Sequence, residues 1–125
     1  MFQPDLRSRK SIYEQIVDNF REAILSGLMK PDEKLPSVRD LSKTLTVNPN
    51  TIQKAYRELE RQGYVYTSPG LGTFVEKAEA RKPDGTRKTE LIETMSSCIA
   101  ELQYLGLNAD EIKHIAAELI ERKPS

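Results

Sequence analysis

The short spacing between two helical patterns restricts the fold of this chain more than any other part of its sequence. The first pattern runs from Ser37 to about Leu45, and the second runs from Asn48 to about Gln62. The turn between them, residues 46–48, has only three residues. Two helices joined by a turn of about three or four residues form a helix-turn-helix. The sequence therefore predicts this motif at the centre of the fold.

Capping residues and apolar spacing support both helices. Ser37 and Asp40 have the spacing of a capping box, with Asp in place of the usual Glu. Asn48 is a favoured N-cap, and Pro49 takes the first helical position, where its missing N–H costs no hydrogen bond. Gly63 is expected to end the second helix. The apolar residues that recur at helical spacing, and are expected to face the core, are Val38, Leu41, Leu45, Ile52, Ala55, Tyr56 and Leu59.

A further helix precedes the motif. Ser11 and Glu14 have capping-box spacing, and apolar residues at helical spacing follow them. They predict a helix over about 12–26, with Gly27 as its C-terminal cap. The mostly polar residues 2–10 predict a short strand or an extended arm.

A β-hairpin is expected after the motif. Residues 64–67 and 73–75 have strand composition, and the turn-rich segment 68–72 joins them. Together with the three helices, this hairpin predicts a winged helix-turn-helix over residues 1–76. The fold class is therefore mainly α with a small β-hairpin.

The remaining residues, 77–125, predict a connector that runs to about Gly85 and then a helical tail. In the first tail helix, apolar residues are spaced 3, 4 and 3 positions apart, which is heptad spacing. Gly106 separates this helix from the last one, which Asn108 and Glu111 begin with a capping-box pattern. The apolar stripes of the two helices comprise Ile92, Met95, Ile99, Leu102, Ile112, Ile115 and Leu119.

These two stripes have two interpretations. Each stripe could pack only against the other helix of the same chain, or the tail could pair with a second copy of the chain. Two helices alone bury both stripes poorly, so the pattern favours a dimerisation tail and a homodimer.

The charge of the chain is balanced, with 19 Lys and Arg against 19 Asp and Glu. Residues 1–75 carry 11 basic and 9 acidic side chains, and residues 34–62 carry 6 basic and 3 acidic ones. This local basic excess is modest. It does not by itself distinguish a nucleic-acid partner from an ordinary solvated surface.

Other features of the sequence indicate where in the cell the protein is expected. No apolar run approaches the roughly 18 residues of a membrane span, and the first residues do not resemble a signal peptide. Cys98 has no second cysteine with which to form a disulfide, which agrees with a reducing environment. The sequence therefore predicts a cytoplasmic protein with no membrane partner.

The start of the second helix of the motif carries polar residues. The major groove of DNA is about 12 Å wide and admits one helix, whose amino-terminal residues then reach the base edges. Asn and Gln pair well with adenine, and Thr can contact a thymine methyl group. Asn48 has an alternative role as a helix cap alone, and Lys54 is expected to contact phosphate. The residues of this helix expected to face double-stranded DNA are Asn48, Asn50, Thr51, Gln53, Lys54 and Arg57.

Five segments carry a recognisable combination of motifs. They are LPSVRDLS at 35–42, VNPNTI at 47–52, AYRELE at 55–60, GY at 63–64 and GLGTFV at 70–75. In combination they resemble the GntR family of bacterial transcription regulators. The short helical tail is similar to that of the YtrA-like subfamily, in which two helices after the DNA-binding domain mediate dimerisation. The sequence thus predicts a dimeric, sequence-specific regulator, a repressor that binds an inverted-repeat operator.

The resemblance also implies roles for individual residues. Arg39 would contact a base or the nearby DNA backbone, and Ser37, at a helix start, would hold a phosphate. In the hairpin, Gly70, Gly72 and Thr73 would approach the minor groove or the backbone.

Two of these roles have structural alternatives. Arg39 could instead form an ion pair with Glu58 or Asp40 on the protein surface. Gly70 and Gly72 could serve the turn of the hairpin alone.

Nothing in the sequence predicts an enzyme, a cofactor or a metal site. His114 and Cys98 are the only residues of their types, whereas a metal site needs several converging ligands. A small-molecule effector is compatible with the family but is not identified by the sequence. The alternative function is a winged-helix protein-interaction module that binds no DNA. Such a module would need an apolar surface where the polar segment 48–51 stands.

Overall fold

The computed structural model describes residues 3–77 and 85–122, in two compact units that span residues 1–84 and 85–125. The predicted fold class, mainly α with a small β-hairpin, is confirmed, whereas most of the predicted connector, 78–84, lies outside the described residues. The first unit contains helices α1 (Ile12–Leu25), α2 (Val38–Leu45) and α3 (Pro49–Arg61) and strands β1 (Val65–Ser68) and β2 (Gly72–Val75), and the second contains helices α4 (Gly85–Tyr104) and α5 (Ala109–Glu121).

Each helix of the first unit begins at the cap that the sequence predicts. A side-chain oxygen of the capping residue accepts a backbone N–H of the first helical turn, which contributes about 0.5–2 kcal/mol per cap. The N–H groups of Glu14, Asp40 and Asn50 donate to the side chains of Ser11, Ser37 and Asn48 over 3.1, 3.0 and 2.8 Å.

Thr46 makes the turn between α2 and α3 tight. Its backbone has φ 56° and ψ 50°, the left-handed conformation that is uncommon for a residue other than glycine. The Ser42 hydroxyl donates to the Val47 carbonyl over 2.5 Å, and the Val47 N–H donates back to the Ser42 carbonyl over 3.1 Å. These bonds close the turn, so α3 starts almost directly where α2 ends.

The hairpin is antiparallel, with Val65 opposite Val75 and Ser68 opposite Gly72. A third segment runs beside β2, because the Leu35 N–H donates to the Thr73 carbonyl over 2.8 Å. This segment also forms an isolated bridge at Lys34. The chain just before α2 is therefore fixed to the hairpin.

The core of the first unit lies where α1, α2 and α3 meet the hairpin. Phe20 of α1 and Tyr56 of α3 form a T-shaped pair with ring centroids 5.7 Å apart. This packing holds one face of α3 inward and leaves the opposite face outside. The most deeply buried residues are Ile16, Phe20, Leu35, Leu41, Ile52, Ala55, Leu59, Val65 and Val75.

Residues 5–10, named here the amino-terminal loop, correct one expectation. They form a hydrogen-bonded turn ahead of α1 instead of the predicted strand or extended arm. The Gln15 side chain causes this shape: its Oε1 accepts the Asp5 N–H over 2.7 Å, and its Nε2 donates to the carbonyls of Asp5 and Lys10. Hydrophobic spacing carries no signal for such bonds. Phe2, part of the same expectation, lies outside the described residues.

The second unit begins one residue inside the predicted connector, since α4 starts at Gly85. Glycine destabilises a helix more in the interior than at the first position. A glycine in the sequence therefore marks a helix boundary only approximately. Gly106, with φ 101°, ends the turn after α4. Asn108 and Glu111 complete the predicted capping box at the start of α5.

The apolar stripes of the second unit remain largely exposed in the single chain. Ile112 is buried and Leu102 is half-buried. No helix within residues 3–77 and 85–122 has the length and apolar character needed to cross a membrane. The other predicted interface residues are exposed: Ile92, Met95, Ile99, Ile115 and Leu119.

Candidate nucleic-acid interface

The exposed face of α3 is polar from its first turn onward. Asn50, Gln53, Lys54 and Arg57 are all exposed. Positions separated by three or four residues share one face of a helix, so the structure brings these four side chains together. Their face is opposite the one that enters the core.

The two other predicted residues of this helix start have additional roles. Asn48 is the N-cap of α3, as its alternative interpretation predicted, although the residue is also exposed. Thr51 is half-buried and lies beside the amino-terminal loop.

Lys54 is held in place by an aromatic ring. Its Nζ lies 4.4 Å from the centroid of the Tyr13 ring, which is a cation–π distance. The ring is half-buried, and burial raises the pKa of the Tyr13 hydroxyl, so this side chain stays neutral. The ammonium group therefore sits at a defined position between α1 and α3.

Arg39, near the start of α2, is exposed, so solvent or a ligand can reach its guanidinium group. It forms no ion pair with any residue of 3–77 and 85–122, and Glu58 pairs with Arg61 over 2.5 Å. The alternative ion pair of Arg39 with Glu58 or Asp40 is therefore wrong. Ser37 accepts the Asp40 N–H through its oxygen, which leaves its own O–H free to donate.

Tyr56 ties the start of α2 to α3. Its hydroxyl donates to the Pro36 carbonyl over 2.7 Å. Burial strongly raises the pKa of Tyr56, so the donor proton is retained at any physiological pH. The bond fixes the segment that precedes Ser37.

The tip of the hairpin, which is the wing of this fold, has a backbone that suits glycine. Gly70 has φ 78° and Gly72 has φ 129°. A Cβ at Gly72 would lie 2.7 Å from the Lys34 Cε, so the Lys34 side chain passes directly over this glycine. Between the two glycines, Leu71 is 65% exposed.

One open groove connects the wing to the start of α2. It has a volume of about 370 Å³, and Lys34, Ser37, Gly70, Gly72 and Thr73 are among its lining residues. The structure thus brings together predicted residues from two separate motifs.

Two residues of this region were missed by sequence reasoning. Lys34 lies in the loop before the LPS motif, and only its bridge to Phe74 places it at the wing. Leu71 lies in a turn for which the sequence analysis considered only the two glycines, Gly70 and Gly72. The basic charge of Lys34 was the only available signal.

His114 and Cys98 belong to the second unit, whereas the polar surface described above belongs to the first. His114 lies 3.0 Å from Glu118, one turn further along α5, and Cys98 is exposed on α4. Within the described ranges, no three His, Cys, Asp or Glu side chains converge as metal ligands would.

The sequence profile described as "Bacterial regulatory proteins, gntR family" matches residues 12–75, which span the three helices and the hairpin. The chain belongs to the GntR family. The predicted resemblance is therefore confirmed, and so is the predicted class, a DNA-binding transcription regulator.

This GntR-family chain is similar to named regulators over most of its length. It is 41% identical over 124 residues to the HTH-type transcriptional repressor YtrA of Bacillus subtilis, covering 95% of each chain. Its fold matches a solved structure described as a transcriptional antiterminator from Listeria monocytogenes. That match has a TM-score of 0.79 and 36% identity, and it covers 97% of this chain and 90% of the other.

A third similar structure contains DNA. It is the DNA-binding domain of AraR in complex with operator ORE1, with a TM-score of 0.52 and 35% identity. The match covers 60% of this chain and 94% of the AraR domain. The relatives are named as regulators or repressors of transcription, in agreement with the prediction that this GntR-family member is not an enzyme.

Proposed function

We propose that this chain is a repressor that binds an inverted-repeat operator as a homodimer, with α3 of each protomer in the major groove. One observation carries the proposal: Asn50, Gln53, Lys54 and Arg57 share the exposed face of α3. Amide side chains at this position suit the adenine edge, and the cations suit the flanking phosphates. The name of the Bacillus subtilis relative, a repressor, supports the direction of regulation.

The start of α2 and the wing supply the backbone contacts in this proposal. Ser37 donates its hydroxyl to a phosphate, and Arg39 reaches a base or the adjacent backbone. Lys34, beside Gly72, adds a cation at the same groove. Thr73 and the two wing glycines let the hairpin approach the minor groove closely.

The exposed stripes of α4 and α5 support pairing of two tails. Ile92, Met95 and Ile99 follow heptad spacing along α4, and 60% of the Met95 surface is exposed in the single chain. Burying an apolar side chain of this size contributes about 1.5–3 kcal/mol. A two-fold arrangement of tails buries these residues and gives two recognition helices for a symmetric site.

The alternative of a protein-interaction module receives no support from this surface. An interaction face at the start of α3 would be apolar, whereas Asn48, Asn50 and Gln53 are polar and exposed.

Selection from a pool of random DNA duplexes tests the proposal. The wild-type chain is expected to enrich one motif with two-fold symmetry. Asn50→Ala combined with Gln53→Ala should enrich a motif that has lost defined base positions, while Glu22→Ala, on the exposed surface of α1, should recover the wild-type motif. No enrichment by the wild-type chain would contradict DNA recognition, and an asymmetric motif would contradict the dimeric site.

A further inference from the structure

The amino-terminal loop has a definite shape that no part of the core requires. Besides the bonds to Gln15, the Arg7 N–H donates to the Asp5 carboxylate over 2.9 Å, and the Lys10 N–H donates to Ser8 Oγ over 3.1 Å. The Ser8 N–H also donates to the Asp5 carbonyl over 3.2 Å. The loop therefore presents its side chains from a folded backbone.

This loop approaches the part of the unit that is proposed to enter the major groove. Its neighbour Pro4 and its residue Leu6 line one open groove of about 540 Å³ together with Thr46, Asn48 and Thr51. Those three residues form the turn of the helix-turn-helix and the first turn of α3. Arg7 follows Leu6 directly in the sequence, so its backbone lies next to a residue that lines this groove.

Two of the three cations in the loop are unpaired. Lys10 binds Asp18 over 2.5 Å. Arg7 and Arg9 are exposed, and their guanidinium groups have no partner among residues 3–77 and 85–122. On α3 itself Arg61 is neutralised by Glu58, which leaves Lys54 and Arg57 as its exposed cations. Arg7 and Arg9 thus add two charges to a surface with a modest basic excess.

We infer that Arg7 and Arg9 bind phosphates of the DNA strand that borders the major groove at the start of α3. The guanidinium group suits this partner, since it donates two parallel hydrogen bonds to phosphate oxygens and keeps its charge at any relevant pH. Phosphates line the groove edge at regular intervals, so a folded loop can contact them without reading bases. The inference rests on the proposed DNA-binding function and adds a second contact region to it.

The test compares the salt dependence of duplex binding by the full chain and three variants. In Arg7→Ala/Arg9→Ala, two phosphate contacts per bound protomer are lost. Each lost contact lowers the slope of log affinity against log salt by about 0.9, so the slope should fall by about 1.8 per protomer. Lys30→Ala/Lys113→Ala removes the same charge from exposed positions outside the proposed DNA contacts and off the heptad stripe, and should keep the wild-type slope. Arg7→Lys/Arg9→Lys keeps both charges and should also retain the slope.

The outcomes separate this inference from the function on which it rests. If binding by the wild-type chain depends steeply on salt, and Arg7→Ala/Arg9→Ala has the same slope as Lys30→Ala/Lys113→Ala, the loop contact is overturned and DNA binding stands. Loss of slope in Arg7→Lys/Arg9→Lys as well overturns an electrostatic role. Absence of salt-dependent binding by the wild-type chain overturns the proposed function and the loop contact together. Far-ultraviolet circular dichroism confirms that each variant keeps its helices.

Discussion

Asn50 and Lys54 lie one turn apart on the exposed face of α3 and offer DNA different chemistry. Asn50→Ala keeps the backbone N–H that bonds to Asn48 but removes a side chain suited to adenine. It should cost about 1–3 kcal/mol at one operator position and relax the choice of base there. Lys54→Ala should weaken binding to every duplex alike and lower the salt slope by about 1. Fluorescence anisotropy with the operator and point-substituted duplexes measures both.

A uniform loss of affinity in Asn50→Ala would show that this residue contacts the backbone and not a base. Because Lys54 also lies over the Tyr13 ring, Lys54→Ala needs a thermal unfolding control. Tyr13→Leu removes the cation–π contact while keeping Lys54. If Tyr13→Leu weakened binding as much as Lys54→Ala, the position of the ammonium group would matter as much as its charge.

Tyr56 offers a test of how the start of α2 is fixed. Tyr56→Phe removes the bond to the Pro36 carbonyl and keeps the T-shaped contact with Phe20. The free energy of unfolding should fall by about 0.5–1.5 kcal/mol, the usual contribution of one hydrogen bond. Urea unfolding measures the loss. Tyr66→Phe, which removes a more exposed bond to Asp32, is the control and should cost less.

At the scale of elements, the wing depends on two glycines with positive φ. Gly72→Ala places a side chain at φ 129°, and its Cβ meets the Lys34 side chain. Such a backbone costs about 1–3 kcal/mol for a residue other than glycine. Gly70→Ala should cost less, because φ 78° lies close to the left-handed region that other residues can adopt, whereas φ 129° lies far outside it. Thermal unfolding of the two variants compares them, and a larger loss in Gly70→Ala would contradict this order of backbone cost.

Helix starts and ends were predictable because they depend on neighbouring residues. The caps at Ser11, Ser37 and Asn48, and the glycine after α3 at Gly63, follow from local hydrogen bonds and backbone preference. The hairpin was predictable from its turn-rich segment, but each strand extends one residue further into that segment than predicted, so that Ser68 pairs with Gly72.

Contacts between distant residues were not predictable in this way. Gln15 folds the amino-terminal loop back on α1, and the bridge of Lys34 to Phe74 brings the loop before α2 to the wing. Both depend on the tertiary arrangement, which hydrophobic spacing does not encode. The site residues on α3 were found because helical spacing alone determines which of them share a face.

At the scale of the whole molecule, the exposed stripe of α4 determines whether two copies pair. Ile99→Asp places a charge in the middle of the proposed dimer interface on α4, where an unpaired charge is strongly unfavourable. The variant should be monomeric with a folded first unit, and its operator affinity should fall steeply. Ser97→Asp adds the same charge two positions away, off the heptad stripe, and should stay dimeric. Analytical ultracentrifugation distinguishes the two.

A wild-type chain that is monomeric at micromolar concentration would contradict the proposed dimer. If Ile99→Asp remained as dimeric as the wild-type chain, the dimer interface would lie elsewhere than the stripe of α4. In either case the first unit could still bind DNA, because its core is complete within residues 12–75.

In the proposed function, the polar face of α3 recognises a particular DNA sequence. The most direct measurement is the ratio of dissociation constants for the selected operator and a shuffled duplex of the same composition, at physiological salt. We expect the operator to bind at least about 10³-fold more tightly than the shuffled duplex, the lower end of the range for specific DNA-binding proteins. Equal affinities for the two duplexes would contradict it.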